Sequence, residues 1–98
     1  MRIFLFISRH TPTPEQHALA ANQDIILEHH GDADAFTVGP SFVDSCGAFE
    51  GVVVVHPAAA LRLAPYFEVG VFEIEQRAEI GAPPTFHAKE LHLYDLVY

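Results

Sequence analysis

A short polar segment follows the first hydrophobic run of the chain and contains residue types that bind phosphate. Residues 4–7 lead directly into Ser8, Arg9, His10 and Thr11. Arginine makes charge-assisted, bidentate hydrogen bonds to phosphate oxygens, hydroxyl groups donate to them, and histidine transfers protons near neutral pH. The alternative is that these residues form the ordinary polar end of a strand. Because the chain has only 5 Lys and Arg among 98 residues, a cation at this position favours an anion site.

Two further residues are candidates for the same site. His56 follows the valine-rich run of residues 51–55, and Thr13 stands directly before Pro14. Each also has a structural alternative, since threonine is a common helix cap and His56 is followed by Pro57 at the start of an alanine-rich helix. The predicted ligand-binding set is therefore Ser8, Arg9, Thr11, Thr13 and His56, with His10 as the predicted catalytic residue.

The hydrophobic pattern predicts alternating strands and helices that position these side chains. Strands are predicted over residues 2–8, 24–28, 51–55, 68–74 and 86–94, with helices after Thr13, over residues 40–46 and after Pro57. Residues 1–98 are expected to form one domain. This order predicts an α/β class: a small Rossmann-like three-layer fold with a mostly parallel sheet of four or five strands and a C-terminal antiparallel edge strand.

Such a sheet predicts where the polar segment lies. The first and third strands are expected to be neighbours, and ligands bind at the carboxyl ends of strands where the winding direction reverses. Residues 4–7 should therefore pair with residues 52–55, which brings the segment after the first strand close to His56. Two helix N-termini, near Thr13 and Pro57, are expected to point free N–H groups at the same crevice. The crevice is predicted to bind a phosphate or a nucleotide.

Composition excludes several other classes of function. The chain has 13 Asp and Glu, which gives a formal net charge of −8, so its surface repels nucleic-acid backbones and anionic lipid. General DNA or RNA binding is not expected. A single cysteine allows no internal disulfide, and no apolar run approaches the roughly 20 residues of a membrane span. A soluble, cytoplasmic protein that does not bind membranes is predicted.

The sequence predicts neither a metal site nor a cofactor. Of the 7 histidines, His29 and His30 lie near Asp32 and Asp34, but their spacing fits no standard zinc signature, and adjacent residues of a strand point to opposite faces. The chain also lacks a GxGxxG motif after its first strand and a P-loop. Common dinucleotide and nucleoside-triphosphate enzymes are therefore disfavoured.

The segment FLFISRHTPTPEQ, residues 4–16, resembles small accessory and ring-nuclease-like proteins of type III CRISPR systems, which have CRISPR-associated Rossmann-fold (CARF) domains. These families begin with a hydrophobic strand, a Ser-His pair, a threonine and a helix starting near Glu-Gln. The same order occurs here, although Arg9 separates the serine from the histidine, and the later VVVVHP matches a strand followed by a helix start. The matching residues are Ser8, His10, Thr11 or Thr13, Glu15 and Gln16.

The resemblance implies a homodimer that binds a cyclic oligoadenylate across its two-fold axis in antiviral signalling. It also implies metal-independent cleavage, in which a ribose 2′-hydroxyl attacks its own 3′-phosphate, His10 acts as acid or base, and Arg9 holds phosphate. Binding without cleavage stays open. The alternative from another class is an acidic interaction module, of phage or host-defence origin, that mimics nucleic acid or inhibits a partner. The net charge of −8 favours this second function.

Overall fold

Five strands form one mixed sheet between helices. The computed structural model describes residues 1–31 and 33–94, and within them the elements are β1 (Arg2–Phe6), α1 (Pro14–Ala21), β2 (Ile25–Glu28), α2 (Pro40–Cys46), β3 (Gly51–Val54), α3 (Pro57–Leu63), β4 (Glu68–Arg77) and β5 (Thr85–Tyr94). The strand order is β2-β1-β3-β4-β5. β1 to β4 are parallel, and β5 is antiparallel to β4. The predicted small Rossmann-like α/β fold with an antiparallel C-terminal edge strand is confirmed.

The predicted pairing of the first and third strands is also confirmed. Phe4 lies opposite Gly51 and Phe6 opposite Val53, and the Ile7 N–H extends the ladder by donating to the Val53 carbonyl at 2.9 Å. The chain runs from β1 to the edge strand β2 and then crosses β1 to form β3. The carboxyl ends of β1 and β3 therefore meet where the winding direction reverses.

Alternate residues of the strands pack into two hydrophobic layers. One layer joins the sheet to α2 and α3, and the other joins it to α1. Because β3 has neighbours on both edges and helices over both faces, all four of its residues are buried, as its uninterrupted valines predict. The first layer includes Leu5, Ile7, Val43, Val52, Val54, Leu63, Val69 and Val71, and the second includes Phe4, Phe6, Ala20, Ile25, Val53, Phe72 and Leu91.

The last two strands form a longer hairpin than the hydrophobic pattern predicts. The predicted fourth strand ends at Ile74, whereas β4 continues to Arg77 and pairs with β5 down to Thr85. The outer residues of β4 are exposed, so their pairing depends on backbone hydrogen bonds and gives little apolar signal in the sequence. A register shift, a β-bulge, lies at Glu73 and Ile74. No helix among the described residues is long and apolar enough to cross a membrane.

Gly51 gives a direct test of the β1–β3 contact. A Cβ at this position would lie 2.6 Å from the Glu68 carbonyl oxygen and 2.6 Å from Cε2 of Phe4. Gly51→Ala should therefore overpack the sheet and lower the free energy of unfolding by about 1–3 kcal/mol, measured by urea denaturation. Gly39→Ala is the control, since nothing lies within 4 Å of its Cβ and it loses only an N-cap preference of less than about 1 kcal/mol. Equal losses in the two variants would contradict the packing described here.

Candidate functional site

An open crevice of about 380 Å³ lies at the carboxyl ends of β1 and β3. The strand ends contribute one wall, and residues 33–36, in the connection from β2 to α2, contribute the other. Of the predicted site residues, Ser8, Arg9 and His10 belong to this lining, while Thr11, Thr13 and His56 do not. The lining consists of Ile7, Ser8, Arg9, His10, Ala33, Asp34, Ala35, Phe36 and Val55.

The guanidinium of Arg9 is paired with a carboxylate across the crevice. Its Nη2 lies 3.3 Å from Oδ2 of Asp34, and the Arg9 side chain is 71% exposed. Asp34 also shapes its own loop, because its Oδ1 accepts a hydrogen bond from the Phe36 N–H at 2.9 Å and its carbonyl accepts from the Thr37 and Val38 N–H groups. An exposed ion pair of this kind is worth at most about 1 kcal/mol. A phosphate can therefore compete with Asp34 for Arg9.

Ser8 connects the ends of β1 and β2. It is nearly buried, at 9% exposure, and its Oγ accepts a hydrogen bond from the His10 N–H at 3.2 Å. Its carbonyl oxygen lies 2.9 Å from His29 Nε2 and also accepts from the Ala33 N–H. Since a carbonyl only accepts, Nε2 of His29 is the donor in this contact. The hydroxyl proton of Ser8 is still available to a ligand, because Oγ acts as the acceptor in its contact with His10.

His56 acts as the N-cap of α3 and reaches the crevice only through an aromatic neighbour. Its Nδ1 accepts a hydrogen bond from the Ala58 N–H at 3.1 Å. Its ring centroid lies 5.1 Å from that of Phe36, which is half exposed in the crevice wall. The first N–H groups of α3 are thus unavailable to a ligand, since Pro57 has none and that of Ala58 is bonded.

The two threonines have different environments. Thr13 forms the predicted capping box of α1: its Oγ1 accepts from the Gln16 N–H at 3.2 Å, and its own N–H donates to Gln16 Oε1 at 2.9 Å. The expectation of free N–H groups at two helix N-termini is therefore wrong for Gln16 and Ala58. Thr11 is exposed and makes no side-chain hydrogen bond within the part of the chain that the structure describes.

The remaining residues of the crevice lining are apolar and come from both walls. Ile7 and Val55 continue the sheet, and Ala33, Ala35 and Phe36 cover it from the loop. Sequence reasoning missed Phe36, Asp34 as the partner of Arg9, and His29 as a donor to Ser8. The crevice therefore brings together a guanidinium paired with a carboxylate, an imidazole, a hydroxyl and an exposed aromatic ring.

The histidine cluster considered as a metal site has separate partners. His29 bonds to the Ser8 carbonyl, whereas His30 Nε2 lies 3.2 Å from Glu28 Oε2 and its ring packs against Phe49. The cluster also includes Asp34, which pairs with Arg9, and Asp32, which lies outside the described residues. The two imidazoles therefore do not share a ligand position.

The stability of a Thr13 variant tests whether this residue caps α1. Thr13→Ala removes the acceptor of the Gln16 N–H and should lower the free energy of unfolding by about 0.5–2 kcal/mol. Thr11→Ala, the matched control, should change stability by less than about 0.5 kcal/mol, since it is an exposed position outside such contacts. Thermal and urea unfolding of both variants decide the matter. A neutral Thr13→Ala would contradict a stabilising cap.

Comparisons of the chain with protein-family models, with curated proteins and with solved structures gave no match. The resemblance of residues 4–16 to CARF-like proteins therefore supports a proposal, and it assigns the chain to no family.

Proposed function

We propose that the crevice binds a nucleotide, with Arg9 and His10 at its phosphate and Phe36 against its base. The observation that carries the proposal is that a guanidinium, an imidazole and an exposed aromatic ring line one crevice at the point where the sheet reverses direction. Ligands of open α/β sheets bind at this point. A volume of about 380 Å³ lies within the usual range of roughly 300–1,000 Å³ for small-molecule sites.

Arg9 supplies the electrostatic part of the proposed interaction. Because the chain has a net charge of −8, it does not attract an anionic ligand at long range. Binding therefore depends on short-range hydrogen bonds. A phosphate accepts two parallel hydrogen bonds from a guanidinium, whereas Asp34 approaches Arg9 through a single 3.3 Å contact. Phosphate binding would exchange this contact for a stronger one and leave Asp34 in its loop through the Phe36 N–H.

The phosphate ligand we propose is a cyclic oligoadenylate. The resemblance of residues 4–16 to CARF-like proteins of type III CRISPR systems supports this choice, and a cytoplasmic role in antiviral signalling belongs to the same proposal. A symmetric cyclic ligand requires two equivalent sites, which a two-fold homodimer supplies. Each chain would then contribute one Arg9 and one Phe36 to opposite phosphates and bases.

An exposed apolar patch supports the homodimer. Ile3 and Ile26 lie opposite each other on β1 and β2, and they are 37% and 44% exposed. Two isoleucines side by side on a sheet face are stabilised when a second surface covers them. A second copy of this chain is the covering surface that the proposal requires.

A second candidate function follows from the pairing of Arg9. Because Asp34 already neutralises this cation and the whole chain carries a net charge of −8, the surface also suits an acidic interaction module that binds a basic partner. This function needs no ligand in the crevice and no catalysis. It replaces the first if the protein binds no nucleotide.

Arg9 and Asp34 should affect nucleotide binding in opposite directions. Arg9→Ala should weaken binding of a cyclic oligoadenylate by about 1.5–3 kcal/mol, the value of a charge-assisted hydrogen bond. Asp34→Asn should strengthen it, since the amide oxygen can still accept from the Phe36 N–H while the competing charge is gone. Thermal shift and titration calorimetry against cyclic oligoadenylates, cyclic dinucleotides and AMP measure both effects, and the stoichiometry should be one cyclic ligand per two chains.

Arg77→Ala is the matched control for Arg9→Ala. Arg77 is also an exposed arginine paired with one carboxylate, that of Glu75, but it lies on β4 outside the crevice lining. Its removal should leave nucleotide binding unchanged. Equal losses in the two variants would point to non-specific charge effects, and a parent protein that binds none of the nucleotides would leave the acidic interaction module as the function.

His10 should separate binding from cleavage. In the proposed cleavage, a 2′-hydroxyl gives up its proton and attacks the adjacent 3′-phosphate, and the bond to the 5′-oxygen of the next nucleotide breaks as that oxygen takes up a proton. His10→Ala should then retain binding but lower turnover by roughly 10²–10⁴, the contribution of a general acid or base. Product analysis should show a 2′,3′-cyclic phosphate, and EDTA should not reduce the rate. His17→Ala, which removes an exposed histidine of α1, is the control. Equal loss of binding and rate would make His10 a residue that only holds the ligand.

A further inference from the structure

Three potential metal ligands converge on the β4–β5 ladder, away from the residues that line the crevice. One donor atom from each of Glu73, Glu90 and His92 lies within 4.8 Å of the others. His92 Nε2 is 3.2 Å from Glu73 Oε2 and 3.8 Å from Glu90 Oε2. Among the described residues, this is the group in which a histidine and two carboxylates face one point.

The backbone brings these side chains together. Glu73 and Glu90 are direct partners in the antiparallel ladder, and His92 follows Glu90 by two positions, so it lies on the same face of β5. The neighbouring pair Phe72 and Leu91 is buried, at 2% and 3% exposure. Because these two side chains point into the hydrophobic layer under α1, Glu73, Glu90 and His92 must point to the opposite face of the sheet. There the two glutamates are exposed and His92 is partly exposed. The cluster is therefore anchored on regular strands and not on a loop.

The spacing agrees with a tetrahedral zinc site. Nitrogen and oxygen ligands lie about 2.0–2.2 Å from Zn²⁺, which separates the ligands of a tetrahedron from one another by roughly 3.4 Å. The contacts of His92 at 3.2 and 3.8 Å already bracket this value. The two glutamates are exposed, so rotation of their side chains can bring the third pair of ligands into range without moving the strands.

We propose that Glu73, Glu90 and His92 bind a divalent transition-metal cation, with Zn²⁺ as the best fit. Two carboxylates neutralise its charge, and the imidazole selects against Mg²⁺ and Ca²⁺, which prefer all-oxygen sites. Three protein ligands leave the fourth position to water. Lys89, whose Nζ is 3.9 Å from Glu73 Oε1, carries an exposed and flexible side chain that turns away when the cation binds. This site is independent of the nucleotide site proposed above.

Zinc titration of the full chain tests the proposal. After removal of metals by a chelator, calorimetry with ZnCl₂ near pH 7 should show one site per chain. His92→Gln and Glu73→Gln should each weaken zinc binding by at least about 10–100-fold, which is the loss caused even by removal of a residue that only supports a ligand. MgCl₂ should produce no comparable binding. Circular dichroism of the variants checks that the hairpin is intact.

His87→Gln is the matched control. His87 belongs to the same strand and also contacts a carboxylate, with its Nδ1 3.1 Å from Glu15 Oε1. Among the described residues it makes this one ion-pair contact, whereas His92 makes two. Zinc affinity should survive this substitution, and NMR of the parent should show zinc shifting the ring signals of His92 and not those of His87. Unchanged affinity in His92→Gln, an equal loss in His87→Gln, or equal binding of Mg²⁺ would each overturn the proposal.

Discussion

The parallel pairing of β1 with β3 is the constraint on which the candidate site depends. The two strands approach closely because Gly51 leaves room for the ring of Phe4, where any Cβ would meet both that ring and the Glu68 carbonyl. Burial of β3 on both faces holds this arrangement in place. With β1 and β3 side by side, the segment Ser8 to His10 must leave the sheet beside Val55. The crevice is thus a consequence of strand order, and the identity of its polar residues determines what it can bind.

Most of the fold could be predicted because its signals are local. Four successive valines indicate a strand buried on both faces, and the Thr13, Pro14 and Gln16 combination specifies a helix start through the hydrogen bonds that the structure contains. Gly39-Pro40 and Gly47 predict a short helix over residues 40–46, and α2 has these bounds. The sequence predicts nearly all of β5 but not the outer part of β4, residues 75–77, because its exposed side chains carry no hydrophobic signal and its pairing depends on backbone hydrogen bonds.

The site was predictable only at the ends of the strands. Ser8, Arg9 and His10 line the crevice because strand order determines where β1 ends, whereas Asp34 and Phe36 reach it along a loop whose path depends on tertiary contacts. Arg9 and Asp34 are 25 positions apart, and nothing in a single sequence indicates that they pair. The same holds for Glu73 and His92, whose proximity depends on the antiparallel register of β4 and β5. Side chains that become neighbours through the register of two strands have no characteristic spacing in the sequence.

The long hairpin also bears on how the chain folds. β4 and β5 are adjacent in sequence, so their ladder closes a short loop, and isolated hairpins form in about 1–10 μs. Pairing of β1 with β3 joins Phe4 to Gly51 across nearly half of the chain, and the entropy of closing that loop must be overcome before any contact offsets it. Strands that are close in sequence are therefore expected to pair before strands that are far apart. By the same argument, the hairpin and the β1–β2 pair, which joins Arg2 to Ile25, are expected to form before β1 pairs with β3. The crevice at the ends of β1 and β3 is then expected to form last.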